Sequence, residues 1–189
     1  MKLHSLGEGK MIYYTSDLHF GHQNVLRFDN RPFLSIAVMD QYMIEKWNER
    51  VLANDIVYIL GDFCFRSEKP AEWYLQQLNG HKILIIGNHD ATTLQNQKAL
   101  KYFELFQHMI HVQDGDRHIC LCHFPIAEWN GFRHGTWHIH GHLHNRKNDT
   151  YEFMRTRERA LNAGCMINGY VPVTFDELLK NNRKFMDQD

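Results

Sequence analysis

Cysteine is scarce in this chain, and its spacing argues against a disulfide-stabilised fold. The 189 residues include four cysteines, none of them in a CxxC pair or in the regular spacing of a disulfide framework. Cys120 and Cys122 alternate within an apolar stretch, where a free cysteine behaves as a small hydrophobic residue. We therefore expect all four cysteines to be inert packing residues.

Long hydrophobic runs and an excess of charge are also absent. No apolar run approaches the roughly 18 residues of a transmembrane helix, and residues 1–10 lack the continuous apolar core of a signal peptide. The formal net charge of −1 gives no electrostatic reason to expect nucleic acid or an acidic membrane as a constant partner. With 43% hydrophobic and 23% charged residues, the sequence is typical of a cytoplasmic globular protein with one domain over 1–189.

The first half of the chain alternates strand and helix patterns. Apolar, β-branched stretches at 11–16, 55–60 and 82–87 predict strands. Apolar residues three to four positions apart predict amphipathic helices at 35–51 and 68–79, and the first of these begins with a serine that can cap it. Such βα units favour parallel strands joined by crossover helices.

The second half is less regular. We expect a further helix from Thr92 or Thr93 to about Phe106 and a short final helix at 174–181. The dipeptide Asp114-Gly115 separates two apolar stretches and predicts a hairpin turn. Further strand patterns occur at 137–141, 151–159 and 160–163, and the second of them would align Arg155, Arg157 and Arg159 on one face.

Five apolar strand patterns end in side chains of the metal-ligand type. Ligands of open α/β folds bind at the carboxyl ends of the strands, so five such endings in order indicate one site. The endings are Asp17-Leu18-His19, Asp62 after Gly61, Asn88-His89-Asp90 after Gly87, His123, and His142-Leu143-His144 after Gly141.

These residue types predict a centre for divalent metal ions. Asp17 and His19 are two residues apart and would point the same way on an extended strand end. His142 and His144 repeat this spacing, and each oxygen of Asp62 can take one ion. Nitrogen and oxygen ligands without thiolate suit two borderline ions such as Mn, Fe, Zn or Ni better than a structural zinc.

The ordered series resembles the calcineurin-like metallophosphoesterase superfamily. It spans residues 17–144, and the continuation at 20–24 is similar to small bacterial and phage members. The resemblance implies a four-layer αββα sandwich with two metals at the strand ends. A mild departure is Cys122, where the family usually has glycine before the histidine. By resemblance, one metal is held by Asp17, His19, Asp62 and His144, and the other by Asp62, Asn88, His123 and His142.

The function implied is metal-dependent hydrolysis of a phosphoester, expected to be a phosphodiester or nucleotide-type substrate. Two ions, roughly 3.5–4 Å apart in such sites, would lower the pKa of a bridging water and so supply hydroxide as the nucleophile for phosphorus. His89 is the candidate general acid or phosphate-oxygen stabiliser, and Asp90 either orients its ring or caps a helix. Arginine binds phosphate in a bidentate manner. The candidate substrate-binding residues are His22, Asn24, Arg27, Arg31 and Arg66.

Several other functions stay open at this stage. The same residues would serve a phosphomonoesterase, or a binding scaffold of this fold that has lost its chemistry. A metallo-β-lactamase-like hydrolase would need an aspartate in its histidine block, and 138–147 has none. A histidine-rich storage module would explain only 134–144 among the 14 histidines of the chain. Neither the substrate nor the oligomeric state follows from the sequence.

Overall fold

The computed structural model describes residues 9–188 as two four-stranded sheets with helices on their outer faces. The first sheet is parallel throughout, in the order β1-β2-β3-β4. In the second, of order β5-β6-β7-β8, β5 and β6 form the antiparallel hairpin and the other pairs are parallel. The strands are β1 (Ile12–Thr15), β2 (Ile56–Ile59), β3 (His81–Ile85), β4 (Phe103–Gln107), β5 (Met109–Asp114), β6 (Arg117–Cys122), β7 (Trp137–His140) and β8 (Ala160–Asn162).

Seven α-helices connect or flank these strands within residues 9–188. None of them is long and apolar enough to cross a membrane. The expectation about a signal peptide falls mostly on residues 1–8, which lie outside the described residues. The helices are α1 (Val25–Phe28), α2 (Ile36–Arg50), α3 (Ala71–Leu75), α4 (Ala91–Gln95), α5 (Gln97–Leu100), α6 (Asp149–Met154) and α7 (Phe175–Met186).

Helix α2 forms as its apolar spacing predicts. The Ser35 side chain accepts a hydrogen bond from the Val38 amide and so satisfies one of the unpaired groups at the helix start. Met39, Met43 and Trp47 are buried on one face of the helix, at spacings of four residues. These side chains anchor α2 against the first sheet, since burial of large apolar side chains stabilises such a contact by about 1.5–3 kcal/mol each.

Two cores lie on opposite faces of the first sheet. Tyr13 faces the core beneath α2 and α3, whereas Tyr14 faces the core between the two sheets, because successive strand residues point to opposite sides. On the outer face of the second sheet, the His138 ring lies against Trp129 at a tilt of 36°, and His140 lies beside α6. The layers are therefore helix, sheet, sheet, helix, as the sequence predicts. All four cysteines are free and buried, in agreement with their assignment as packing residues.

The predicted helix running from Thr92 or Thr93 to Phe106 is divided into two short helices and is wrong at its end, where a strand forms. Helix α4 ends at Gln95, and the Asn96 side chain starts the separate helix α5 by accepting from the amides of Lys98 and Ala99. Phe103–Gln107 then pairs with β3 as a parallel strand. The tertiary contact of this edge with the sheet overrides the local helical spacing.

The predicted strand at 151–159 is also wrong. Asn148 caps helix α6 over Asp149–Met154, and a turn follows to β8. Arg155, Arg157 and Arg159 therefore do not form a stripe along a strand. Helix α3 is shorter than the predicted 68–79. Helix α7 starts where predicted, at a capping box of Thr174 and Glu177, and continues beyond the predicted end at 181 to Met186.

Buried His138 makes the stability of this fold depend on pH. Its Nδ1–H donates to the Cys120 carbonyl at 3.1 Å, and its Nε2 accepts from the Ile126 amide at 3.2 Å. Acceptance at Nε2 needs a neutral ring, and burial lowers the pKa of His138 to about 4. In the folded protein His138 therefore stays unprotonated, whereas in the unfolded chain the same ring binds a proton below its ordinary pKa of 6.5.

We expect the free energy of unfolding to fall between pH 7 and pH 5, with His138 contributing about 2 kcal/mol of that loss. In His138→Gln, which can keep both hydrogen bonds, the decrease should be smaller by that amount. Urea denaturation at both pH values, in EDTA, measures the difference. The exposed His118→Gln is the control for the loss of one histidine, and equal pH dependence of the wild type and His138→Gln would contradict the assignment.

Candidate metal centre

The carboxyl ends of strands from both sheets meet at one group of carboxylate and imidazole atoms. Donor atoms of Asp17, His19, Asp62 and His144 all lie within 4.8 Å of one another. Nε2 of His19 is 3.3 Å from Nε2 of His144 and 3.6 Å from Oδ2 of Asp62. Nε2 of His144 is 3.6 Å from Oδ1 of Asp17. The first predicted ligand set thus converges on a volume the size of one ion.

A second group of donors lies on the other side of Asp62. The amide oxygen of Asn88 is 3.0 Å from Nε2 of His123 and 3.0 Å from Nδ1 of His142. Oδ2 of Asp62, which faces His19, is also 3.8 Å from Nε2 of His123. A single carboxylate therefore lies between the two groups of donors.

The backbone at these residues is left-handed, not extended. The angle φ is 56° at Asp17, 52° at His19, 55° at Asp62, 69° at His142 and 55° at His144. Each such angle is unfavourable by about 1–2 kcal/mol for a residue other than glycine. The assumption of an extended strand end was therefore wrong, although the side chains still converge. Strain of this kind concentrates at functional sites.

Hydrogen bonds between the loops hold this strained backbone in place. The amide of Asp17 donates to the Gly61 carbonyl at 3.1 Å, and the amide of His19 donates to the Asp62 carbonyl at 2.9 Å. The first two strand endings are therefore fixed to each other before any side chain is considered. Main-chain pairing of this kind removes the entropy that free loops would keep.

Glycine is required at Gly61 and Gly141 because other loops approach their backbone closely. A β-carbon on Gly61, where φ is +87°, would lie 2.4 Å from Nδ1 of His123. A β-carbon on Gly141 would lie 1.9 Å from Oγ of Ser16 and 2.9 Å from Oδ2 of Asp17. The glycine before each ligand thus allows the strand endings to pack together.

The electrostatics of the group fit a bound cation. Burial, opposed by His123 and reinforced by the Asp17 carboxylate, raises the pKa of Asp62 to about 7. Burial and the neighbouring His144 lower the pKa of His19 well below its ordinary value. Nδ1 of His19 is also buried without a hydrogen-bond partner among the described residues. Convergent carboxylates and neutral imidazoles of this kind are the donors that divalent transition metals prefer.

Arg31, a predicted substrate-binding residue, instead binds the main chain of the loop after β1. Its guanidinium is buried and donates to the carbonyl oxygens of Asp17 at 2.8 Å and Leu18 at 2.9 Å. Nδ1 of His144 donates to the buried carboxylate of Asp29 at 2.5 Å, and Arg31 is 3.4 Å from the same oxygen. Sequence reasoning missed Asp29, which no motif distinguishes from other loop acids.

Asp90 organises main chain and makes no hydrogen bond to the His89 ring. Its carboxylate accepts from the amides of Asp62 at 2.9 Å, Phe63 at 2.9 Å and Gly87 at 2.7 Å. It occupies the N-cap position of α4 without a capping hydrogen bond from its side chain. Burial raises the pKa of Asp90, and these three donors oppose the rise.

His89 lies beside the metal-ligand candidates without joining them. Its ring centroid is 5.5 Å from that of His19 and 4.1 Å from that of Phe65. Its amide donates to Oδ1 of Asp62 at 2.8 Å, and burial lowers the pKa of the ring. The imidazole of His89 makes no hydrogen bond with the described residues.

The remaining predicted substrate residues lie around the rim of the centre. The His22 ring is buried 5.7 Å from that of His19, and Asn24 is exposed at the start of α1. Arg27 and Arg66 are exposed, and each guanidinium lies over an aromatic ring. Three phenylalanines of the rim, which sequence reasoning did not single out, are Phe28, Phe65 and Phe124.

Comparison with known proteins agrees with this arrangement. The chain is 32% identical to the uncharacterized protein MJ1445 of Methanocaldococcus jannaschii over 173 residues, 90% of each chain. It is 29% identical over 160 residues to the Gene 66 protein of Mycobacterium phage D29, covering 71% of this chain and 79% of the phage protein.

A solved structure supports the fold. The protein of unknown function AQ665 from Aquifex aeolicus superposes with a TM-score of 0.71 at 24% identity, covering 91% of this chain and 99% of that one. The model of the calcineurin-like phosphoesterase family matches residues 11–186. With the ordered ligand candidates of both sheets at one edge, this match shows that the chain belongs to the calcineurin-like phosphoesterase family.

Proposed function

We propose that this protein is a hydrolase of phosphoesters that uses two divalent metal ions, with phosphodiesters or nucleotide-type esters as substrates. The observation that carries the proposal is the position of Asp62, whose Oδ2 faces one donor group through His19 and the other through His123. The first ion would be held by Asp17, His19, Asp62 and His144, and the second by Asp62, Asn88, His123 and His142.

The chemistry of the ions and that of the chain are separate contributions. Two bound ions supply an ionised water as nucleophile and neutralise charge on the phosphoryl oxygens. The chain fixes the directions of these carboxylates and imidazoles through Asp29, Asp90 and Arg31. Ligand directions held from behind in this way raise metal affinity.

His89 is the residue proposed to act on the substrate itself. It lies next to both donor groups, and its lowered pKa keeps the ring neutral near pH 7. A neutral imidazole still donates one N–H, which can stabilise a phosphoryl oxygen or the leaving oxygen. Phe65 covers one side of the ring and limits its rotation.

A phosphomonoesterase is the second candidate, because monoesters present phosphorus to the same donors. The aromatic and cationic rim favours esters that carry a second substituent, since Phe28, Phe65, Arg27 and Arg66 offer contacts beyond one phosphoryl group. A substrate with two groups on phosphorus uses more of this surface than a phosphate monoester does.

We expect metal-dependent turnover of an activated phosphodiester, strongest with Mn²⁺, Fe²⁺, Zn²⁺ or Ni²⁺ and absent in EDTA. The test is a panel of these metals against bis(p-nitrophenyl) phosphate and p-nitrophenyl phosphate. Asp62→Ala should lose activity by at least about 10³-fold on both, because it removes the carboxylate shared by the two donor groups. The exposed Asp116→Ala is the matched control. Equal turnover by Asp62→Ala and the wild type would refute the proposed site.

His89→Ala should lower kcat by about 10²–10⁴-fold while leaving the metal content unchanged, because His89 donates to the substrate and not to the metal. Turnover of the activated diester and metal analysis by mass spectrometry measure the two quantities. Full activity of His89→Ala on every cleaved substrate would show that the ring has no such role, and loss of metal would show that it serves as a ligand.

Asp29→Asn should weaken metal binding by about 10–100-fold, because a charged acceptor behind His144 is replaced by a neutral one. The protein should remain folded, since the amide oxygen can still accept from Nδ1 of His144. Competition with a chelating indicator gives the affinity, and circular dichroism the fold. The exposed Asn30→Asp, one residue along the same loop, is the control for altered charge. Unchanged affinity would mean that Asp29 does not position His144.

A further inference from the structure

A cleft of about 310 Å³ opens beside the candidate metal centre, outside both groups of metal donors. It lies between residues 64–71, which follow β2, and helix α4 with the start of α5. Volumes of about 300 Å³ or more are typical of sites for small organic ligands. The cleft therefore has room for one nucleoside.

The cleft connects with the candidate centre through one aromatic side chain. Phe65 lines the cleft and lies 4.1 Å from the ring of His89 and 5.0 Å from the ring of His22. Both histidines lie within 5.7 Å of His19, ring to ring. A group attached to phosphorus at the centre would therefore reach Phe65 first.

The charge at the mouth of the cleft is positive. Arg66 and Lys69 line it, and neither forms an ion pair among the described residues. The guanidinium of Arg66 lies 5.1 Å from the centroid of Phe65, and its backbone is held at a φ of +47°. Glu72, which follows the lining residue Ala71, accepts a hydrogen bond from the side-chain amide of Asn96. An anionic group beside the aromatic ring is thus favoured.

Polar groups that could bind the edge of a base lie on the opposite side. Thr92 and Gln95 are exposed in the cleft, and their side chains make no hydrogen bonds with the described residues. The hydroxyl of Thr93, a third lining residue, is buried without a partner in the same part of the chain. Buried polar atoms normally have a partner, so an unpaired one at a cleft indicates a bound group or water.

We propose that this cleft is the nucleoside subsite of the enzyme, and that its substrates are nucleotide phosphodiesters. The base stacks on Phe65, the side chains of Thr92 and Gln95 bind its edge, and Arg66 and Lys69 bind a neighbouring phosphate. Bases stack on aromatic rings regardless of their sequence, which makes this surface suited to nucleotides as a class. The cleft admits one base, so a single nucleotide or a flexible single strand fits and a duplex does not. This proposal rests on the hydrolase proposed above.

The test compares two esters with the same leaving group. The p-nitrophenyl ester of thymidine 5′-phosphate carries a nucleoside, and methyl p-nitrophenyl phosphate does not. The wild type should show a kcat/KM about tenfold or more higher for the nucleoside ester. Phe65→Leu and Arg66→Gln should each raise KM for the nucleoside ester more than for the methyl ester, so that most of that preference is lost. Phe106→Leu, on an exposed position of β4, is the matched aromatic control.

Calorimetric binding of thymidine 5′-phosphate to the metal-free protein separates this proposal from the hydrolase proposal. Binding that weakens about tenfold in Phe65→Leu, with no hydrolysis of either ester, would keep the subsite and overturn the hydrolase. Hydrolysis of both esters at equal efficiency, unaffected by Phe65→Leu, would keep the hydrolase and overturn the subsite. Loss of turnover on both esters in Phe65→Leu would assign Phe65 to the positioning of His89 instead and would also overturn the subsite.

Discussion

The carboxylate of Asp62 is the group on which the rest of the site depends. Its Oδ2 faces His19 and His123, and its Oδ1 accepts from the amide of His89. Its own amide donates to Asp90, and its carbonyl accepts from the amide of His19. One residue thus ties together strand endings from both sheets. A buried carboxylate in this position is unfavourable without compensation, which a bound cation would provide.

Buried polar residues outside the ligand set hold the strained loops in place. Asp90 accepts from three main-chain amides of the loops after β2 and β3, while Arg31 donates to two carbonyl oxygens of the loop after β1. Asp29 joins that arginine to His144 on the second sheet. These contacts offset the left-handed backbone at the ligand candidates, because each satisfies main-chain or ring atoms that the turns leave unpaired. The geometry of the centre is therefore a property of the loops and their anchors together.

The surroundings of the centre differ from its interior in a way that bears on substrate choice. The interior is made of carboxylates and imidazoles, whereas the rim alternates aromatic rings with arginines. The net charge of −1 does not reveal this local distribution of arginines and carboxylates. A cleft with Phe65 at its entrance continues the rim away from His89. The aromatic and arginine side chains of the rim can therefore bind a substrate locally, even though the chain as a whole carries no excess of positive charge.

Sequence alone was sufficient for most strand positions, helix α2 and the ordered ligand candidates, because strand endings and periodic burial are local properties of the chain. The four-layer fold followed from the family resemblance of those candidates. Sequence reasoning failed at Phe103–Gln107 because a distant contact decides there, the pairing of this segment with β3. It failed at residues 149–154 because the local cap at Asn148, which starts a helix, was overlooked. Only the tertiary structure placed Arg31 against main chain, brought Asp29 to His144 and set Phe65 between His89 and the cleft. Those roles depend on which loops meet in space, and no spacing within one segment encodes that meeting.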